Sequence, residues 1–362
     1  MKKIKLSITL FTTLLVYSFT LLGGNPDRAG EAGASQMLIN PWTRSVGMAG
    51  ANTASVTGLE AMSLNIAGMA FTKKTELLIN HKRYLVGSDI NINSFGFSQR
   101  IGETGVMGLS VMSMNFGDID ITTVDKPEGG IGTFSPSYMN LDVGYAKAFS
   151  NSIYGGLSVK VISESISNVS NRGFAFDAGI RYITGENDQI KFGIALKNVG
   201  PTMKASGDGL TFQESNDNVG FDVLSTQARR SSPFQLPSLL NIGFSYDFYI
   251  GAKVDSATSE ISANHKLTAA ANFTSNSFTK DQYRLGVEYA FRSMFILRAG
   301  YVLEQRTWFD SAKRTSAYTG PTAGVSFVAP LGKSGSTFGL HYAFQATENF
   351  DGTHSIGIRL DM

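Results

Sequence analysis

The sequence has no cysteine, little charge and, beyond its first two dozen residues, no long apolar run. The missing cysteine excludes a disulfide framework, thiol catalysis, a cysteine-ligated metal and a lipid-modified N-terminal cysteine. Charged residues make up 17% of the chain, against about 25% in ordinary soluble domains. Hydrophobic residues make up 42%, which rules out a disordered composition, and the formal net charge of +2 offers nothing to a nucleic acid. The four histidines, His81, His265, His341 and His354, have no second histidine or glutamate at metal-ligand spacing. No Gly-x-Ser-x-Gly elbow and no phosphate-binding loop is present. The chain therefore reads as no enzyme, with no cofactor and no metal.

The one long apolar run, Leu6 to Leu22, follows Lys2, Lys3 and Lys5 and ends at Gly23-Gly24-Asn25-Pro26. A basic start, an apolar stretch and a helix-breaking end make an export signal, assigned to residues 1–24. Its removal takes away three lysines and changes the formal charge from +2 to +2 − 3 = −1. Nothing in the remainder is long enough to span a bilayer as a helix.

What is present instead is alternation. In "LLNIGFSYDF", Leu240, Ile242, Phe244, Tyr246 and Phe248 share one face, and Asn241, Gly243, Ser245 and Asp247 the other. "YRLGVEYAF" (283–291), "FGLHYAF" (338–344), "FAFDAGIRY" (174–182) and "IKFGIALK" (190–197) repeat the pattern. Such segments have the length a tilted strand needs to cross a bilayer, about 10 residues. Short turns at 101–105, 148–152, 184–188, 291–294 and 330–336 alternate with long connections at 117–136, 198–236 and 304–319. That is the outer-membrane pattern of short periplasmic turns and longer external loops; the polar connector 251–264 on the short-turn side departs from it. The expected fold is all-β: a transmembrane antiparallel β-barrel of about 14 strands over residues 73–362, in the outer membrane of a Gram-negative bacterium, its apolar face on lipid. Tyr145, Phe149, Tyr182, Phe248, Tyr249, Tyr289 and Phe291 are placed in an inner aromatic girdle.

Inward positions carry charges of both signs (Lys160, Asp177, Arg181, Lys191, Lys197, Asp247, Arg284, Glu288, Arg298, Arg359 and Asp361) and a glycine in nearly every strand. The charges read as a pairing network, and the glycines as room for a backbone or as relief of curvature. His341 faces inward with Gln345 and is expected to be a solvated or hydrogen-bonded lumen residue; a hydrolytic site would need a serine brought to it across the lumen, and a nucleophile, a base and an orienting acid together. The non-alternating stretch 25–72 is rich in small residues and reads as a hatch or plug folded into the lumen. The external loops, with Ile119, Ile121, Ile131 and Phe134 in one and Phe212, Phe221, Val223, Leu224, Phe234 and Leu236 in another, are candidate interaction surfaces.

Two motifs carry a family resemblance. The run Arg44-Ser45-Val46-Gly47-Met48-Ala49-Gly50-Ala51, followed by Asn65-Ile66-Ala67-Gly68-Met69, resembles the N-terminal signature of FadL-like barrels, most closely the PorV/PorQ branch. Ile66 stands where proline is common. The C-terminal Ser355, Gly357, Leu360 and Met362 are similar to the assembly signal of outer-membrane barrels, with methionine where an aromatic is more usual. The resemblance implies a hatched 14-stranded barrel inserted by the barrel-assembly machinery through its last strand. On the PorV side it implies an accessory of type IX secretion that works beside a translocon and handles C-terminal-domain cargo, the reading favoured from sequence. On the FadL side it implies a channel for hydrophobic small molecules, the alternative.

Overall fold

The computed structural model describes residues 24–216, 223–251, 253–254, 261–304, 314–318, 320–332, 335–348 and 350–362. Residues 1–23 of the expected export signal, Phe221, and most of the connection 304–319 lie outside them. Fourteen long strands follow one another in the chain: β1 Thr75–Tyr84, β2 Ile90–Ile101, β3 Gly105–Asn115, β4 Ser137–Ala148, β5 Ile153–Ile166, β6 Val169–Thr184 and β7 Ile190–Val199. They continue with β8 Leu239–Ile250, β9 His265–Asn276, β10 Gln282–Phe291, β11 Phe295–Glu304, β12 Gly320–Leu331, β13 Ser336–Gln345 and β14 Thr353–Asp361. Each pairs antiparallel with the next, and β14 pairs with β1 in the register Ile358↔Ile79. The result is a closed 14-stranded antiparallel barrel.

Closure follows from where backbone groups find partners. A strand edge in hydrocarbon leaves N–H and C=O groups unpaired, at several kcal/mol each. Here the seam is bonded to its end: Thr75 N–H donates to Met362 O at 3.1 Å, and Met362 N–H to Thr75 O at 2.9 Å. Among the described residues no helix is long and apolar enough to cross a membrane; crossing falls to the strands.

The alternation read from sequence maps onto the wall. Phe95, Leu109, Ile180, Ile194, Ile242, Leu285, Leu297, Leu340 and Ile358 are exposed on the outer surface. Their neighbours Ser94, Ser110, Arg181, Asn241, Arg298 and His341 are buried inside. The three connections 102–104, 149–152 and 292–294 are short, and 116–136 and 200–238 at the opposite rim are long. The girdle assignment holds for Tyr145, Phe149, Tyr182 and Phe248, which are exposed on the outer face. Tyr249 is different: its hydroxyl lies 3.4 Å from the buried Asp247 carboxylate, on the luminal side. Adjacent residues of a strand cannot share a face, so Phe248 and Tyr249 cannot both face lipid.

An arginine on the outer surface has no water to solvate it. Ile358→Arg is expected to cost about 2–4 kcal/mol in refolding into lipid vesicles if it sits near the midplane, whereas Ile358→Leu stays near zero. Equal stability of the two variants would show that this face does not meet lipid.

Candidate functional site

The lumen is occupied by the chain's own N-terminal segment, which enters at the long-loop rim. There Gly24 N–H donates to Asp281 Oδ2 at 2.8 Å, and Ala32 bridges to Gln235. The segment leaves at the short-turn rim, where Arg100 gathers the Thr72, Ala70 and Lys73 carbonyls at 2.6, 3.2 and 2.6 Å. Between these ends it forms one short helix, α1 (Thr43–Gly47), and the 3₁₀ turns Ala51–Ala54, Leu59–Ser63 and Ile66–Phe71. It touches the wall all round: α1 packs on β11 to β14, 51–54 on β7 to β10, 59–63 on β1 to β3, and 66–71 on β3 to β6. Trp42, Leu59, Met62, Ile66 and Met69 are fully buried and join Leu78, Val106 and Ala146 of the wall in one apolar cluster. Each such side chain contributes roughly 1.5–3 kcal/mol of burial.

Inward glycines let this segment approach. A Cβ added at Gly300 would stand 2.5 Å from the Met48 carbonyl carbon, and at Gly286 2.9 Å from the Met48 oxygen. At Gly193 and Gly243 it would stand 2.8 Å from Thr53 O and 2.9 Å from Ala54 N. Gly96, Gly108, Gly144 and Gly179 would collide with Leu59, Met69, Ile66 and Asn65. Many of these glycines are cross-strand partners or close to it: Gly108↔Gly144, Gly156↔Gly179, Gly193↔Gly243 and Gly286↔Gly300. They form a belt at one level of the wall, cut to the backbone that crosses it.

The motif residues fall into place around this belt. Asn65 caps the 66–71 turn: its Oδ1 accepts from Ala67 N–H at 3.2 Å, and its Nδ2 donates to Ile180 O on β6 at 3.0 Å. Ile66, at the position where proline was expected, fills the space left by Gly144 and Gly156; side-chain packing and the Asn65 cap hold the turn that a proline ring would stiffen. Ala67 is fully buried, and a Cβ on Gly68 would strike Val56 O. Gly47 lies against Gly324, where an added Cβ would be 3.1 Å from the Gly324 Cα. Gly50 takes φ +68° directly over the Arg284 guanidinium, a conformation favoured by glycine. Arg44 N–H donates to Glu60 Oε1 at 3.3 Å, and Ser45 Oγ donates to Glu60 Oε2 at 3.0 Å. Burial opposes the Arg44 charge, but the Glu60, Glu288, Glu76 and Asp361 carboxylates hold its pKa above the usual range.

The C-terminal motif residues meet the same segment. Ser355 Oγ is 2.9 Å from Thr43 Oγ1, and both are joined to Asn80 on β1. A Cβ on Gly357 would stand 3.0 Å from Thr43 Oγ1. Leu360 and Met362 point outward at the short-turn rim, on the face opposite Ser355 and Gly357.

Most inward charges are paired or bonded to the segment's carbonyls, and Arg284 donates to Gln282 Oε1 at 2.8 Å. Lys160 meets Asp177 at 2.6 Å, Arg298 meets Glu288 at 2.7 Å, and Asp247 is shared by Lys191 and Lys266. Arg181 donates to Val56 O at 2.8 Å, Lys197 to Ser63 O, and Lys82 to Asn40 O. Glu76 joins three elements: it accepts from Leu59 N–H at 3.0 Å and pairs with Arg359 of β14 at 3.0 Å from its place on β1. Glu76, Asn80 and Lys82 were missed as anchors because "TELLINHKRY" runs in blocks, Leu77-Leu78-Ile79 and then Asn80-His81-Lys82-Arg83, and gives no alternation to set them on the inner face. His341 does meet a serine: its Nδ1 is 2.7 Å from Ser326 Oγ. Its Nε2 is buried without a hydrogen-bond partner among the described residues, so no acid orients the ring.

Above α1, toward the long-loop rim, lies a pocket of about 470 Å³. Leu38, Ile39, Val46, Ile90, Met114, Phe116, Leu239 and Val302 give it apolar walls. Tyr84, Tyr318, Lys82 and Arg284 add polar groups, as do Ser35, Gln36, Asn40, Asn276, Thr279, Gln282, Thr315, Ser316 and Gln345, and no carboxylate lines it among the described residues. Below α1 a smaller space of about 190 Å³ is ringed by Arg44, Arg298, Arg359, Glu288, Asp361 and His341. On the external loops Ile119, Val124, Ile131 and Phe212 are exposed, whereas Leu236 and Met203 are buried with Phe234 packed on them. The longest loop thus packs partly on itself.

Gly300→Ala places a methyl against main chain that cannot turn aside. It is expected to destabilise the barrel by about 1–3 kcal/mol in equilibrium unfolding. Gly132→Ala, whose methyl would meet only Ile121 Cδ1 at 3.7 Å, should change little. Equal effects would separate the glycine belt from the segment it is fitted to.

No protein-family model matches the sequence, and no curated protein matches it. Among solved structures, the monoaromatic hydrocarbon channel CymD superposes with a TM-score of 0.50 at 14% identity, covering 89% of this chain and 97% of that one. The Pseudomonas putida toluene transporter TodX gives 0.51 at 13%, covering 89% and 97%. A Pseudomonas aeruginosa FadL homologue gives 0.50 at 12%, covering 88% and 96%. At such identity the likeness is one of fold: this chain has the FadL-like barrel architecture along nearly the whole length of those channels.

Proposed function

We propose that the protein is an outer-membrane barrel, exported by its N-terminal signal and inserted through its C-terminal strand, that takes small apolar or amphipathic solutes from outside the cell. The pocket above α1 carries this reading. Its volume of about 470 Å³ suits a drug-sized or smaller molecule. Its mixed lining suits an amphipathic solute, and Lys82 and Arg284, with no carboxylate in the lining beside them, favour one with an acceptor or anionic head. Solved barrels of the same fold are described as a monoaromatic hydrocarbon channel and a toluene transporter, which agrees in kind. The luminal segment acts as the hatch below the bound solute. The protein has no catalytic role in this reading.

A second reading has its own observation. Ile119, Val124 and Ile131 stand exposed on an external loop, and the 44–69 motif resembles the PorV/PorQ branch. An accessory of type IX secretion would use such a surface to meet a translocon or C-terminal-domain cargo. It predicts that loss of the gene changes the secreted and surface proteins of the host and leaves other outer-membrane proteins unchanged.

The channel reading is tested with purified protein and with cells, using toluene, benzoate and dodecanoate as probes. Ala317→Trp, which fills the pocket from an external loop, is expected to weaken probe binding and slow uptake at least about tenfold with the barrel still folded. Lys82→Met should remove any preference for benzoate over toluene. Unchanged binding in the tryptophan variant would retire the pocket as a solute site.

A further inference from the structure

The outer face of the wall changes character where the barrel closes. On β13, β14, β1 and β2 its lower part is apolar: Leu340, Ile356, Ile358, Ile79, Phe95 and Phe97 are all exposed there. Toward the long-loop rim the same face carries His354 on β14, His81 and Arg83 on β1, and Asn91 and Asn93 on β2. Arg83 stands opposite His354 on one side and Asn91 on the other, and His81 stands opposite Asn93. Side chains directly opposite each other start about 5 Å apart, and those two apart on one strand about 7 Å. His81, Arg83 and His354 therefore make a compact triangle of basic groups across the β14–β1 seam.

The triangle is pre-arranged and lacks an anion. His81 Nδ1 is 2.8 Å from Asn93 Oδ1, and His354 Nδ1 is 2.7 Å from the Tyr342 hydroxyl. Both rings are thus held by Nδ1, which leaves Nε2 to face outward. Arg83 is exposed and enters no ion pair among the described residues. The outward positions of these four strands hold no carboxylate; Asp89 and Asp351 lie in the turns beyond the strand ends. The far side of the barrel meets the same rim with aromatics instead. Phe273 and Tyr283, ring centroids 5.2 Å apart, and Tyr301 face outward near the long-loop ends of β9, β10 and β11. The basic set is therefore local to the seam.

We propose that His81, Arg83 and His354 bind the phosphate of an outer-leaflet lipid head group, with the acyl chains lying along Ile79, Ile356 and Phe95 beneath. Arg83 supplies a permanent charge and a planar set of donors, and each imidazole an N–H at Nε2. The order of the surface, basic groups toward the rim and apolar wall below, is the order of charge and chain in a phosphorylated lipid. A docking protein would have to reproduce that order; every such lipid already has it. The bound lipid ties β14, β1 and β2 together from outside. Glu76 with Arg359, and Asn80 and Ser355 with Thr43, tie the same seam from inside.

The site lies outside the lumen and goes beyond the solute reading, sharing with it only the placing of the long-loop rim at the cell surface. The purified barrel in detergent is titrated with diphosphoryl lipid A, with the same lipid freed of its phosphates, and with phosphatidylglycerol, and bound lipid is counted by native mass spectrometry. The expected result is one diphosphoryl lipid A per barrel, held at least about tenfold more tightly than the phosphate-free form. The triple variant His81→Gln, Arg83→Gln, His354→Gln should lose that preference. Arg172→Gln, which removes an exposed cation near the long-loop end of β6, should keep it. Where the triple variant does not fold, Arg83→Gln alone decides, with an expected loss of about threefold or more. Equal affinity for the two forms of lipid A would overturn the proposal, as would an unchanged preference in a folded triple variant. Tighter binding of phosphatidylglycerol, a lipid of the inner leaflet, would overturn it together with the orientation. A photoreactive amino acid at position 93, activated in intact cells, should form an adduct with lipid; an adduct with a protein would overturn the proposal. Benzoate binding in the lumen should be the same in all these variants, so a failure at the seam leaves the solute reading standing, and a barrel that binds no benzoate leaves the lipid site standing.

Discussion

Every other feature depends on one constraint: a sheet in hydrocarbon must close, because nothing there can bond its edge. Closing fourteen strands solves the edge and creates a lumen too wide for side chains alone to fill. This protein fills it with its own residues 24–72, a segment of irregular backbone and short turns. Irregular backbone carries unpaired carbonyls, and the wall supplies donors to meet them. Arg181, Lys197, Lys82 and Arg100 each bond to main-chain oxygens of the segment. The inward cations are therefore structural in the first instance, as the backbone they serve requires.

The seam shows how closure and filling are coupled. The β14–β1 junction is held by main-chain pairing, and beyond that by side-chain ties across three elements. Arg359 of β14 pairs with Glu76 of β1, which also takes the Leu59 amide of the segment. Ser355 of β14 and Asn80 of β1 meet at Thr43. A carboxylate buried as deeply as Glu76 costs several kcal/mol unless it is paired. Its partners come from across the seam and from the lumen, so each of the three elements is most stable with the other two in place.

The strands were legible because lipid outside and polar lumen inside impose a period of two on every crossing, and the long and short connections sorted the two rims. The glycines were visible too, but their purpose was not. Glycine in a strand relieves curvature or admits a neighbour, and only the meeting of Gly300 with Met48, or Gly243 with Thr53, decides between them. The path of residues 24–40 to the outer mouth was illegible for the same reason. It rests on contacts such as Gly24 with Asp281 and Gly33 with Phe234, separated by some 200 residues or more of chain, and no local period encodes them. Tyr249 went astray because a girdle was assigned from nearness to a strand end, where face matters more. Asn65 was readable as a motif residue, yet its double role as cap and as strut to Ile180 appears only in three dimensions.

The two functional readings use different parts of this architecture. A secretion accessory needs an outer surface and is indifferent to what lies below it. A solute channel needs a concave site with a floor, and the segment provides one. α1 separates the apolar pocket above from the charged space below: Val46 faces the first and Arg44 the second. An apolar solute resting on Val46 gains burial, while the ring of arginines and carboxylates beneath offers it only desolvated charge. In the channel reading, the step in polarity across one short helix would hold such a solute on the outer side. It is this asymmetry, more than the size of either space, that favours reception of small molecules over a purely structural plug.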